Sequence, residues 1–208
     1  MADLTARGTR LGPLVRETPG RVLPREPYND EVIPRVLGGA HPLWKLERMQ
    51  SFSEPDVPSW VAAHEGDWRR ALELIEGMRP GLRAMSQSLS RLRRTRIAER
   101  PPSPYLQWEM QVFLARTDAG ETIRVLDAEA VAGVETDGPL PELLIIGPDV
   151  MYEILYDDAG GHMGGRRIED RDVIRVCTEE LAELFALGED FRAYFAREIA
   201  PLPPPRTA

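Results

Sequence analysis

SPYLQWEMQVFLARTDAGETIRVL (Ser103–Leu126), followed by PELLIIG (Pro141–Gly147) and DVMYEILYDD (Asp149–Asp158), is the stretch that decides the fold. Its first part has the period of a helix. Stepped at 100° per residue from Tyr105, Leu106, Trp108, Met110, Val112, Phe113, Leu114 and Ala115 spread over a wide apolar arc, and Gln107 and Gln111 mark the wet side. A helix from Ser103 to about Asp118 is therefore mostly buried. Glu109 falls inside the apolar arc, about 40° from Tyr105, with Arg116 about 20° away from it. An ionised carboxylate left alone in a core costs several kcal/mol, so Glu109 is salt-bridged, protonated or open to a pocket. Arg116 and Arg124 are the candidates to pair with it.

Ala119-Gly120 stops the helix, since glycine enters the left-handed region at little cost, and Glu121 to Leu126 reads as a strand. With a strand over Arg93 to Glu99 the order becomes strand, helix, strand, a parallel crossover. Asp127 to Ala132 reads as one or two helical turns, and Glu135 to Pro141 as a loop. Leu143 to Ile146 and Val150 to Tyr156, joined by Gly147-Pro148-Asp149, suit an antiparallel hairpin. The expected class is α+β: a small mixed sheet packed against helices, with a helical hairpin before it and two helices after it.

Y-L-Q-W-E (Tyr105–Glu109), A-G-E-T-I-R-V-L (Ala119–Leu126), P-E-L-L-I-I-G and the Tyr152 to Asp158 strand with its Asp-Asp-Ala-Gly turn resemble an uncharacterised actinobacterial family of domains of unknown function. The resemblance covers Arg93 to Phe195. It implies a fold and a setting near helix-turn-helix regulators, and no established activity. A weaker likeness to phospholipase D-like domains fails on chemistry. Those need a His-x-Lys pair, whereas the single lysine here is Lys45 and His41 lies four residues before it.

Outside the deciding stretch, residues 1–40 carry prolines, glycines and arginines without periodicity and read as a disordered or extended arm. Residues 41–200 form the domain, and PLPPPRTA (Pro201–Ala208) is a polyproline-like tail. Pro42 to Met49 reads as a strand. Pro58 to Glu65 and a second helix capped by Asp67, with Trp68, Ala71, Leu72, Ile75 and Met78 on one face, form the helical hairpin, which Pro80 interrupts before a short helix within Gly81 to Ser90. Val173, Cys177, Leu181, Leu184 and Phe185 share a helix face after Asp170, Gly188 ends that helix, and Phe191, Tyr194, Phe195 and Ile199 line the next.

Charge and composition exclude several classes of function. The net charge is −8, and residues 101–160 hold two arginines against twelve acids, which repels phosphate backbones. Direct nucleic-acid binding is therefore disfavoured. Arg91, Arg93, Arg94, Arg96 and Arg100 form a basic cluster without interleaved aromatics, and read as the solvated face of an edge strand. One cysteine, Cys177, excludes an internal disulfide framework, lies on an apolar stripe and fits a cytoplasmic protein. No apolar run approaches the ~20 residues of a membrane span.

No metal cluster, phosphate-binding loop or nucleophile elbow is present, and nothing implies a cofactor. Asp157 to Arg167, with two carboxylates, His162 and four glycines, reads as a flexible hairpin end. His41 and His64 read as surface residues. Two functions follow. The first is a non-catalytic binding or regulatory accessory protein acting with a protein partner, such as the helix-turn-helix regulator the resemblance implies, with room for a homo-oligomer. The alternative is an enzyme or ligand-binding domain in which Glu109, Glu121 or Asp157 is the acid or base, and Glu109, Arg116, Glu121 and Arg124 hold a small anionic substrate.

Overall fold

In the computed structural model, which describes residues 10–205, the chain begins with α1 (Leu11–Glu17), β1 (Arg21–Pro24), α2 (Arg25–Gly38), β2 (Leu43–Glu47), α3 (Pro58–His64), α4 (Trp68–Ala84) and α5 (Ser86–Leu89). It continues through β3 (Leu92–Ala98), α6 (Pro104–Asp118), β4 (Thr122–Asp127), α7 (Ala128–Val131), β5 (Leu143–Ile146), β6 (Val150–Tyr156) and β7 (His162–Ile168), and closes with α8 (Arg171–Leu187), β8 (Glu189–Asp190), α9 (Phe191–Tyr194) and a π-helical turn over Phe195–Ile199. The α+β class expected from the sequence is the class observed. All the described strands join one mixed sheet in the order β1-β7-β6-β5-β2-β3-β4-β8.

The deciding stretch folds as its pattern implies. Ser103 Oγ accepts the Leu106 amide at 3.0 Å and so caps α6, and Gly120, at φ +109, follows its end. β3 and β4 pair in parallel on either side of α6, with Arg94 opposite Ile123 and Arg96 opposite Val125. β5 and β6 form the antiparallel hairpin, turned at Gly147 with φ +60.

Strand alternation gives the sheet two unlike faces. On one, Leu46, Ile97, Leu126, Ile145, Met151 and Ile168 pack against α1 and α8 in a continuous apolar core. On the other, three separate apolar clusters lie under α2, under the α3, α4 and α6 layer, and under α6 with α9. Lys45, Glu47, Arg94 and Arg96 belong to this second face and run across β2 and β3 between the clusters.

Four expectations need correction. Residues 10–40 are not a disordered arm: Leu11 and Val15 are fully buried on α8, Tyr28 and Val32 of α2 are buried on the sheet, and Arg166 donates to the carbonyls of Val15 (2.6 Å) and Thr18. Each helix enters the core through apolar residues four apart, too few to stand out as periodicity among prolines and arginines. The first nine residues of that expected arm, and residues 206–208 of the tail, lie outside the described residues. Pro80 does not interrupt the hairpin; α4 runs through it, because burial of Ala71, Ile75 and Leu82 outweighs one missing backbone hydrogen bond.

The Asp157 to Arg167 segment is a tight turn only as far as Gly161. Beyond it β7 pairs with both β6 and β1, and a side chain at Gly164 would meet the Leu23 carbonyl on β1. Its glycines therefore serve close strand approach rather than looseness. The arginine cluster is not on a solvated edge. β3 lies between β2 and β4, and Arg94 and Arg96 are 4 % and 0 % exposed. No helix among the described residues is long and apolar enough to cross a membrane.

α8 offers a direct check on local capping. Asp170 Oδ1 accepts the amides of Asp172 and Val173 at 3.0 and 3.2 Å, beside the helix dipole's positive end. Asp170→Ala is expected to lower the unfolding free energy by about 1 kcal/mol, read by urea denaturation.

Candidate functional site

The parallel run β2-β3-β4 gives way at β2 to the antiparallel run that begins with β5, and a crevice opens at the carboxyl end of β2. The cavity there has a volume of ≈ 550 Å³ and lies between the α2 side and the α6 side of the second face. Lys45 and Glu47 come from β2, Phe52 to Val57 from the loop that follows it, Tyr105 and Glu109 from the first turns of α6, and Tyr156, Asp157, Gly161 and His162 from the β6–β7 turn and the strand ends beside it. Each element reaches this point because its apolar residues are anchored elsewhere on the sheet.

Beneath the cavity runs a chain of buried ion pairs. Glu47 Oε1 receives Lys45 Nζ at 2.6 Å and Arg94 Nη1 at 2.5 Å. Arg94 Nε then donates to Glu121 Oε1 at 2.7 Å, and Glu121 Oε2 receives Arg116 Nε at 2.5 Å. A second branch joins Arg96 Nε to Glu109 Oε2 at 2.7 Å, and the Tyr105 hydroxyl donates to Glu54 at 2.6 Å. Arg96 also donates to the Ile97 carbonyl at 3.1 Å. Glu142, just before β5, accepts the amides of Arg48 and Met49 on one oxygen, both at 2.6 Å.

Three buried atoms of this network have no hydrogen-bond partner: Glu47 Oε2, Arg96 Nη2 and Glu142 Oε2. Burial alone would push the Glu47 carboxyl up, but Arg94, Lys45 and Arg96 outweigh it and hold it well below the usual range. Burial pushes Glu109 up; Arg96 opposes that shift and the charge of Glu47 adds to it. Burial, reinforced by Glu47, carries Glu142 to about 7. The Tyr105 phenol is driven above its usual range by burial and then by Glu109 and Glu54. Burial lowers the His162 imidazole.

Of the residues singled out from sequence, Glu109 and Asp157 line the cavity. Asp157 Oδ1 is engaged by the turn amides of Ala159 and Gly161 at 2.9 and 2.8 Å. The set Glu109, Arg116, Glu121 and Arg124 does not converge. Glu121 is sealed between Arg94 and Arg116, and Arg124 sits on the opposite face, donating to the Gly188 carbonyl at 3.1 Å with its guanidinium over Phe185. The expected partners of Glu109 are likewise replaced: Arg96 holds it, while Arg116 reaches Glu121.

Sequence reasoning missed Lys45, Glu47, Arg94 and Arg96. Their signal was present in the alternation of LWKLE and LRRTRIA, which puts Lys45 with Glu47 on one parity of β2 and Arg94 with Arg96 on one parity of β3, Arg93 falling on the other. Cys177 is buried on the other face, its thiol pushed up to about 12 by burial and then by Glu180, as suits a core residue. Among the described residues no group of three or more His, Cys, Asp or Glu is placed to hold a metal ion.

A model of the DUF6879 domain of unknown function matches residues 30–196. The chain belongs to this family. The DUF6879 match takes in β2 to β7, and with them every strand that carries the cavity and the ion-pair chain. No curated protein and no solved structure is significantly similar to the chain.

Proposed function

We propose that this DUF6879 domain is a non-catalytic binding module whose cavity takes a small polar molecule and which acts as an accessory to a protein partner, such as a helix-turn-helix regulator. The observation that carries this reading is a ≈ 550 Å³ cavity walled by Glu47, whose second carboxylate oxygen is buried without a hydrogen-bond partner. A volume of this size suits a small ligand, and an unmet buried oxygen is a cost that a bound donor removes. Binding is favoured over turnover because the acids at the wall are already committed: Glu109 to Arg96, Glu54 to Tyr105, and Asp157 to its own turn.

Acid–base work by Glu109 is the second reading, supported by its place on the wall and its raised pKa. Glu121 and Arg124 have no part in it, since neither reaches the cavity. Native mass spectrometry of the protein purified gently from cells tests the first reading. A retained small molecule released on denaturation, with or without a stoichiometric protein, is the expected spectrum. A bare subunit mass, together with a melting temperature unmoved by a small-molecule cell extract, would overturn it.

A further inference from the structure

We infer that the ligand of this cavity carries an organic cation, an ammonium or guanidinium group on a short chain, seated between the ring wall and the carboxylates of Glu54 and Asp157, which have no cationic partner among the described residues. This assignment rests on the binding reading above and adds the charge of the ligand. Five carboxylates face the cavity, those of Glu47, Glu54, Asp56, Glu109 and Asp157, against two bases, Arg25 and Lys45. Both bases are taken: Arg25 lies 2.6 Å from Asp56, and Lys45 2.6 Å from Glu47. Arg96, from beneath, takes Glu109.

Glu54 and Asp157 remain without a cationic partner among the described residues. The first accepts a neutral phenol and the second backbone amides. His162 adds no positive charge near neutrality, because burial lowers its pKa. An anion entering the cavity would meet uncompensated negative charge and two lining bases that are each already paired with a carboxylate, whereas a cation would find two carboxylates without a cationic partner. It would find an aromatic wall as well. The Phe52 ring centroid lies 5.6 Å from that of Tyr105 and 4.7 Å from that of Tyr156, so the three rings are contiguous, and ring faces attract cations. The buried Oε2 of Glu47 is an independent sign that an acceptor in this wall is unmet.

The test is a ¹H–¹⁵N NMR titration of the full chain with four probes on a four-carbon chain: n-butylammonium, n-butanol and butyrate, matched in size, and the longer dication agmatine. Saturable shifts of the Phe52–Val57 and Asp157–Met163 amides are expected with the two cations, with butanol and butyrate at least about tenfold weaker. Raising the salt to about 0.5 M weakens the cations' binding, because the pairing is partly exposed. In Glu54→Gln/Asp157→Asn, each substitution keeps the oxygen that accepts the internal hydrogen bond, so the spectrum stays folded while the cations lose about tenfold in affinity.

Butyrate shifting these amides while the amines do not would overturn the assignment and leave the cavity as a binding site. Silence from all four probes would overturn it too, and the native mass spectrum separates the two failures. A retained molecule without a cationic group sinks only the charge assignment, whereas a bare subunit mass with a melting temperature unmoved by the cell extract sinks the binding reading beneath it.

Discussion

Replacing Arg94 with Met is expected to lower the unfolding free energy by about 3–5 kcal/mol at neutral pH. Arg94 is 4 % exposed and is the one residue that joins Glu47 to Glu121, themselves 4 % and 2 % exposed. Met fills a similar volume and keeps the contact with Phe113, whose ring lies 4.6 Å from the guanidinium, so packing changes little. What changes is charge: two buried carboxylates lose a shared cation, and the direct ion pairs left to Glu47 and Glu121 are those with Lys45 and Arg116, which are partly exposed.

The pH dependence separates this cause from simple cavity formation. In the wild type, Arg94 helps to hold both carboxyls below the usual range, so their contribution is present above about pH 4.5 and is lost as pH falls through the folded values. In Arg94→Met both carboxyls rise, and the penalty grows as pH rises through the new values. Urea denaturation at neutral pH and at a pH below those raised values should therefore find a smaller deficit at the lower pH, where protonation relieves the orphaned acids. A deficit of the same size at both pH values would assign the loss to packing instead.

The same pair of strands shows how far the sequence could be read. Helix α6, the β5–β6 hairpin and the helices after Asp170 were legible, because their apolar residues repeat at 3.6 or at 2 and their ends carry Ser103, Gly147, Asp170 and Gly188. Glu109 was legible as an anomaly for the same reason. Its partner was not, since Arg96 meets it only after β3 is laid beside β4 beneath α6, a long-range placement without a local mark. The arginine cluster was misread because charge implies solvent only on average. Arg94 and Arg96 are buried where acids from β2, α6 and the start of β4 converge on them. β8, two residues long, has no periodicity to detect.

Glu142→Gln is expected to stabilise the fold by about 3 kcal/mol above neutral pH and to have almost no effect near pH 4. Glu142 is 5 % exposed; one oxygen accepts two amides while the other has no hydrogen-bond partner, and its carboxyl stands at about 7 against an ordinary 4.5. Below about 4.5 it is protonated whether the chain is folded or not, and costs nothing. Between 4.5 and 7 the folded chain keeps a proton that the unfolded chain releases, so stability falls as pH rises; above 7 the full cost of a buried charge beside Glu47 is in place. Glutamine keeps an oxygen for the Arg48 and Met49 amides and removes that charge. Unfolding free energies measured across this range should converge for the two proteins at the acid end and separate toward the alkaline end. Parallel curves would mean that the Glu142 carboxyl titrates alike in the folded and the unfolded chain, its unpaired oxygen having found a donor, water or ligand, that offsets burial.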